Sequence, residues 1–406
     1  MIWAIAAKEI RENFRTLKFR IVGMASLCVI IFSNILLMHD YERRTEDYFL
    51  NQPKAGEARV VIRPSFISIY ATGLQKTMAR GYDIRPGTLL MLPSASLANV
   101  DLVSSRFAIP DIAYVVRVLL SLLAMLIAFD TISAEKQHGT LRLLLSTAIP
   151  RTHVVLGKML GNYVTILMPF TIGILTGLLL VTILGGAAVT ADELVRLLLF
   201  VLGSALFLAI FMLIAIAISA HTRLPSTSLI ASLFAWSILV FAVPNISGTI
   251  ARTLAPLPSA EGLEEEKLLT YHLEGMMSAA HGTTDMKTLR DRVLQLEQTY
   301  RNVLARYVET TRMFSFLSPA SSFLFLASGL CQNGLDDEIH LKKSVIEYRN
   351  ALLEYPSRIG DIQFNYTPRG LTESVHSALP DFVTLLFCLT ISFVVAYTGF
   401  LPYDIR

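Results

Sequence analysis

Charge is scarce in this chain. Only 17% of its 406 residues are Asp, Glu, Lys or Arg, while 53% are apolar. With a mean hydropathy of +0.54, that shortage excludes a soluble globular protein and makes a bilayer part of the solvent. The formal net charge of +3 is too small a surplus to predict nucleic acid as a partner. Of three cysteines, Cys28 and Cys388 fall inside apolar runs and Cys331 stands alone outside them, so no disulfide framework can staple the parts outside the bilayer. Catalytic motifs are missing as well. There is no Gly-x-x-x-x-Gly-Lys-Ser/Thr loop, and Gly157-Lys158 is followed by Met159, so the chain does not cradle nucleotide phosphates by that route. The absence of His-Glu-x-x-His, of Gly-x-Ser-x-Gly and of paired carboxylates inside an apolar run removes the nucleophile or metal of an intramembrane hydrolase. Asp336-Asp337-Glu338-Ile339-His340, even joined by His272, His281 and Asp285, fits no metal-ligand spacing and reads as a solvated turn. No catalytic residue, metal or cofactor is therefore expected on this chain.

Long apolar runs are what the sequence does have. Six segments are long enough for a hydrocarbon core of roughly 30 Å: Ile21–Met38, Ile112–Phe129, Val164–Leu184, Leu197–Ile218, Ser226–Val243 and Phe382–Leu401. The only formal charge inside them is Arg117, near enough to a helix end to snorkel to the headgroups. Such charge-poor spans argue against a proton- or sodium-coupled carrier. The exit of the first run, Leu36-Leu37-Met38-His39-Asp40, lacks a small-x-small cleavage pattern and reads as a retained anchor. Orientation follows from the basic residues. Entry from the cytoplasm places Lys8, Arg11, Arg15, Lys18, Arg20, Lys136, Arg142, Arg151, Lys158, Arg223 and Arg406 inside, against one basic residue in the short outer loop 185–196. Both termini are thus expected in the cytoplasm of a bacterial inner-membrane protein.

Residues 2–20 form an amphipathic stretch, with Trp3, Ala6, Ile10, Phe14, Leu17 and Ile21 at steps of three and four and a basic opposite face. It is expected to lie in the inner headgroup layer. Two long segments, 39–111 and 247–378, face outward and make up half the chain. The first, punctuated by Pro53, Pro64, Pro86-Gly87 and Pro93, suits irregular structure with a few strands such as Val60-Val61-Ile62. The second carries a heptad-like stripe at Leu289, Val293, Leu296, Tyr300, Val303, Tyr307, Thr310 and Phe314, and another at Leu341, Val345, Tyr348, Leu352 and Tyr355. Pairing the two as an antiparallel hairpin would bury both. Phe314–Cys331, interrupted by Pro319, is too short for a seventh span and reads as a segment packed against the membrane or the hairpin. The fold class is all-α polytopic: six spans, an amphipathic N-terminal helix and a largely helical extracytoplasmic domain.

The loop 130–158, between the second and third spans, carries the functional signal. Glu135–Ser146 reads as a short helix along the membrane, with Leu141, Leu144 and Leu145 under the bundle and Glu135, Lys136, His138 and Arg142 facing water. Gly139 makes it locally pliable or lets another backbone approach, and Pro150 ends it before the third span. A partner pressing on such a helix could move the spans on either side. In the third span, Gly157-x-x-x-Gly161 and Gly173-x-x-x-Gly177 form a small-residue face for close helix packing, either within the subunit or at a dimer seam.

These parts occur in the order found in a known family. Glu135, Gly139-Thr140-Leu141, Leu143-Leu144-Leu145, Pro150-Arg151 and Gly157-Lys158 resemble the coupling segment of ABC-2-type exporter permeases. The large insert before the last span, with Ser318-Pro319-Ala320 and Glu347-Tyr348-Arg349, is similar to a subset with an extended periplasmic domain. The resemblance implies that Glu135, His138, Gly139, Thr140, Leu141 and Arg142 couple this subunit to a separate ATPase subunit, which alone binds ATP. It also implies a second permease copy or homologue, and export or extraction of an apolar or amphipathic substrate. One alternative is a membrane subunit that works mechanically on a periplasmic protein partner. Another is a membrane scaffold with no ATPase.

Overall fold

In a computed structural model, residues 1–54, 57–73, 81–84, 91–93, 110–146, 150–184, 189–254, 256, 260–281, 286–354 and 364–400 are described. Pro86-Gly87, Asp285 and Arg406 lie outside them. Among the described residues six helices are long and apolar enough to cross a membrane, and the protein is an all-α polytopic membrane protein.

The chain opens with α1 (Ile2–Arg15), breaks at an extended Thr16 and enters α2 (Leu17–Leu50). The Thr16 hydroxyl accepts the Phe19 N–H, satisfying one of the free donors at the start of α2. Because α2 runs on to Leu50, the first span continues well into the segment expected to begin the outer loop. The second span is α3 (residues 112–128), started by an Asp111 cap on the Tyr114 N–H and locally widened by a π-helical stretch at Val116–Leu120. Two short helices follow, α4 (Ser133–His138) and α5 (Thr140–Leu145). The third span is α6 (Arg151–Leu184), and the fourth is α7 (Ala191–His221), which begins at a reciprocal capping box between Thr190 and Glu193. The fifth is α8 (Pro225–Leu254), with a π-helical stretch at Ile238–Ala242.

On the far side of the bundle from α1 stand α9 (Ala260–His281), α10 (Met286–Ser315) and α12 (Leu335–Glu354), with α11 (Pro319–Leu330) between α10 and α12 in the chain. The sixth span, α13 (Leu371–Phe400), follows them. The only sheet among the described residues lies on that side too. It is antiparallel, with β1 (Arg59–Val61), β2 (Gly81–Ile84) and β3 (Met91–Pro93) in the register Val60↔Tyr82 and Asp83↔Leu92.

The stripe on α12 does not pair with that on α10 as expected from the sequence. Leu341, Val345, Tyr348 and Leu352 cover Ala58, Val60 and Ile84, the apolar face of the sheet. The upper part of α10, Leu289 and Val293, instead packs with Tyr271 of α9, its hairpin partner, and meets α12 only through Leu353, which lies off the α12 stripe. The two stripes stay linked by charge, through an ion pair between Arg349 and Glu297 (2.5 Å). Lys267 of α9 adds a second pair to Glu297 at 2.8 Å. Burial pushes the Glu297 carboxyl up, but Arg349 and Lys267 outweigh it and hold it below the usual carboxylate range. Helix α11 lies inside the bundle against the fourth and sixth spans, where Phe323 stacks on Phe207 with ring centres 4.6 Å apart.

Candidate coupling site

On the near side, α1 lies along the first half of α6 because α6 presents glycine there. A Cβ at Gly157 would lie 2.7 Å from the Ile5 Cβ, and one at Gly161 would lie 2.6 Å from the Glu9 Cβ. Farther along, Gly173 meets Ile30 and Gly177 meets Asn34, both on the first span. Each of these four glycines thus faces α1 or α2 too closely to leave room for a Cβ.

The close approach buries polar groups that α1 could not otherwise turn inward. Glu9, Asn13 and Lys158 are each less than a tenth exposed. The Lys158 Nζ donates to Glu9 Oε1 at 2.6 Å and to Glu135 Oε1 at 2.8 Å, joining α1, α6 and α4 through one ammonium group. Burial pushes the Glu9 carboxyl up, against the downward pull of the Lys158 ammonium. One turn deeper, Asn13 donates to Asn162 Oδ1 (2.7 Å), and Asn162 donates to Thr131 Oγ1 (2.9 Å). Lys18 closes the same seam on Asp130 at 2.7 Å. The seam thus pairs two i, i+4 polar couples, Glu9 with Asn13 on α1 and Lys158 with Asn162 on α6. That spacing is the signal by which the sequence could have shown it.

The other wall of the loop is α7. Ser219 Oγ accepts the N–H groups of Ile132 (3.1 Å) and Ser133 (2.9 Å), and Lys136 donates to the carbonyls of Ala220 and Thr222. Glu135 and Lys136, expected to face water, are therefore turned inward. The physical reason is that each finds a partner there that offsets its burial.

Beyond them the chain changes direction. Gly139 sits at φ +71°, a left-handed conformation that splits the expected single helix into α4 and α5. Leu141 is buried beneath the bundle, whereas His138, Thr140, Arg142 and Leu143 stand exposed at the tip. The arrangement is a tip open to a partner on a base clamped to three helices. Across the described residues no group of three or more His, Cys, Asp or Glu could hold a metal ion.

A family model described as ABC-2 family transporter protein matches residues 3–405. No curated protein matches the chain.

Proposed function

Given that the chain belongs to the ABC-2 family of transporter proteins, as a permease subunit whose family generally works with an ABC ATPase, we propose that the α4–α5 tip docks on that ATPase. The observation that carries this reading is the contrast between an exposed tip and a locked base. His138, Thr140, Arg142 and Leu143 are available to a partner, while Lys158 binds α4 to both α1 and α6. A push on the tip is then delivered to the first, third and fourth spans together. His138, Thr140 and Arg142 make the contact, Gly139 sets its angle, and Leu141 keys it to the bundle. Glu135 acts as a positioning residue rather than a docking one.

In this reading both termini and the tip lie in the cytoplasm, and α9, α10, α12 and the sheet lie outside the inner membrane. ATP is bound only by the partner. Two permease copies, identical or homologous, form the unit. The fifth span is the least covered of the six, and it exposes Ser237, Asn245 and Thr249 along with its apolar residues. Polar groups of that kind are better satisfied against a second helix than against lipid. The substrate class is apolar or amphipathic, to be exported or extracted.

The test is co-purification of the permease with its ATPase and measurement of ATP hydrolysis. An Arg142→Glu, Leu143→Asp double variant should lose the assembled complex or at least about tenfold in turnover, a loss of about 1.4 kcal/mol. Unchanged assembly and turnover would remove the tip from the interface.

A second reading has its own observation. On α9, Leu269, Leu273 and Met276 form an exposed apolar stripe, roughly 25 Å beyond the Ser247–Phe314 contact by the rise of α10 from Phe314 to Glu297. At that distance from the fifth span the stripe is available to a far-side protein, and mechanical action on such a partner is the rival to solute transport. Photocrosslinking from Leu273 separates them: a discrete protein adduct favours mechanical work, and capture of lipid alone favours transport.

A further inference from the structure

Five cations flank the bend between α1 and α2, Lys8, Arg11 and Arg15 on α1 and Lys18 and Arg20 on α2, and their pairing divides them. Lys8 is held by Glu12 at 3.5 Å and Lys18 by Asp130 at 2.7 Å. Among the described residues, Arg11, Arg15 and Arg20 have no acidic partner, and all three are exposed. The elbow at Thr16 gathers them. Arg11 and Arg15 are one helical turn apart on α1, and Arg20 Nη2, at the start of α2, donates to the Arg15 carbonyl at 3.0 Å. An edge-on contact between Phe14 and Phe19, ring centres 4.7 Å apart, stiffens the same bend.

What surrounds these arginines is apolar and equally uncovered. Trp3 and Phe14 open outward from α1. Past the elbow come Leu17, Ile21 and Met24, and then Phe32 and Ile35 on the first span, all exposed. The exposed apolar surface of α1 therefore continues into the lipid-facing surface of a membrane span. That continuity places the arginine cluster at the depth where acyl chains give way to headgroups. A protein partner would have to displace lipid from the span to cover it; a phospholipid covers both halves at once, with its chains on Leu17 and Ile21 and its phosphate against the guanidiniums.

We propose that the Thr16 elbow is a binding site for anionic phospholipid, formed by Arg11, Arg15 and Arg20 over the apolar surface of Leu17 and Ile21. A zwitterionic lipid brings its own cation to the phosphate and gains little from three unpaired arginines, whereas a lipid with net negative charge gains from each. The consequence reaches the coupling site, because the opposite face of α1 carries Glu9 and Asn13. A lipid that holds the elbow at a fixed depth holds the partner of Lys158 with it.

The test uses the full chain in nanodiscs of mixed phosphatidylcholine and phosphatidylglycerol. The two natural tryptophans are replaced (W3F, W236F) and a reporter is placed at the elbow (L17W). Either lipid is supplied with brominated chains at equal mole fraction. Brominated phosphatidylglycerol should quench the reporter more strongly than brominated phosphatidylcholine, with a local enrichment on the order of tenfold that shrinks as salt is raised. An Arg11→Gln, Arg15→Gln, Arg20→Gln variant should lose the surplus, and the corresponding three-lysine variant should keep most of it. Equal quenching by the two lipids in the reporter chain overturns the proposal without recourse to any arginine variant. Loss of the surplus on adding soluble glycerol phosphate would overturn it differently, by making a free phosphate the occupant.

Discussion

At the scale of single residues, Lys158 bears the largest imbalance between benefit and risk. An ion pair in a low-dielectric site roughly offsets the cost of burying its own charges, but removing one partner leaves the others buried and unpaired. Lys158→Met should therefore destabilise the protein by about 3–5 kcal/mol, because it strands Glu9 and Glu135 together. Adding Glu9→Gln and Glu135→Gln to it should restore much of the loss, since three neutral side chains of similar size need no counter-charge. Thermal unfolding of the purified protein, single variant against triple, reads this directly. A triple variant no more stable than the single one would mean that the node is held by packing rather than by charge.

At the scale of elements, the third span acts as the backbone on which α1 and the first span are laid. Its glycines set the spacing. Gly173 faces Ile30 so closely that any Cβ there displaces the isoleucine. A Gly173→Val variant should cost about 1–3 kcal/mol by overpacking, and Ile30→Ala should recover part of it by returning the space. Failure of that rescue in a thermal shift assay would show that Gly173 matters for backbone flexibility rather than for contact. The same elements show which parts of the fold could be read from sequence. Spans, the amphipathic entry helix and the order of parts in the coupling loop are local patterns, and each is written within a few turns of chain. The partner of Lys158 is not, because Glu9 lies 149 residues away, and the inward turn of Glu135 follows from that distant carboxylate's neighbour. The stripes on α10 and α12 illustrate a second kind of limit. Their spacing states that each needs an apolar cover, but not that the cover for α12 is a small sheet of three short strands, Arg59–Val61, Gly81–Ile84 and Met91–Pro93.

At the scale of the molecule, α7 connects two polar clusters. Its near end holds the coupling loop through Ser219, and its far end holds the last span through Arg196, about 35 Å away by helical rise. Arg196 is fully buried and donates to Asp192 (2.7 Å), to Ser374 Oγ (2.9 Å) and to the Arg369 carbonyl (2.8 Å). Beside it Arg369 faces Asp337 at 3.6 Å, an ion pair too long for a hydrogen bond, while the Gly334 N–H donates to the other Asp337 oxygen at 3.0 Å. Burial consequently prevails over both, and the Asp337 carboxyl is pushed up to about 6 from its ordinary 3.8. A carboxyl raised in the folded state binds its proton there while the unfolded chain has already lost it. Stability from this group is then fully present below pH 4 and is lost as pH rises through 6. The far-side cluster should accordingly loosen between pH 4 and pH 6 and change little above pH 7. Melting temperatures of wild type minus those of Asp337→Asn should fall across that window and flatten beyond it, other titrating groups cancelling in the difference. A difference that rises with pH would mean that Arg369 closes on Asp337 in the membrane and holds the carboxylate ionised, turning the cluster from a proton-dependent joint into a permanent one.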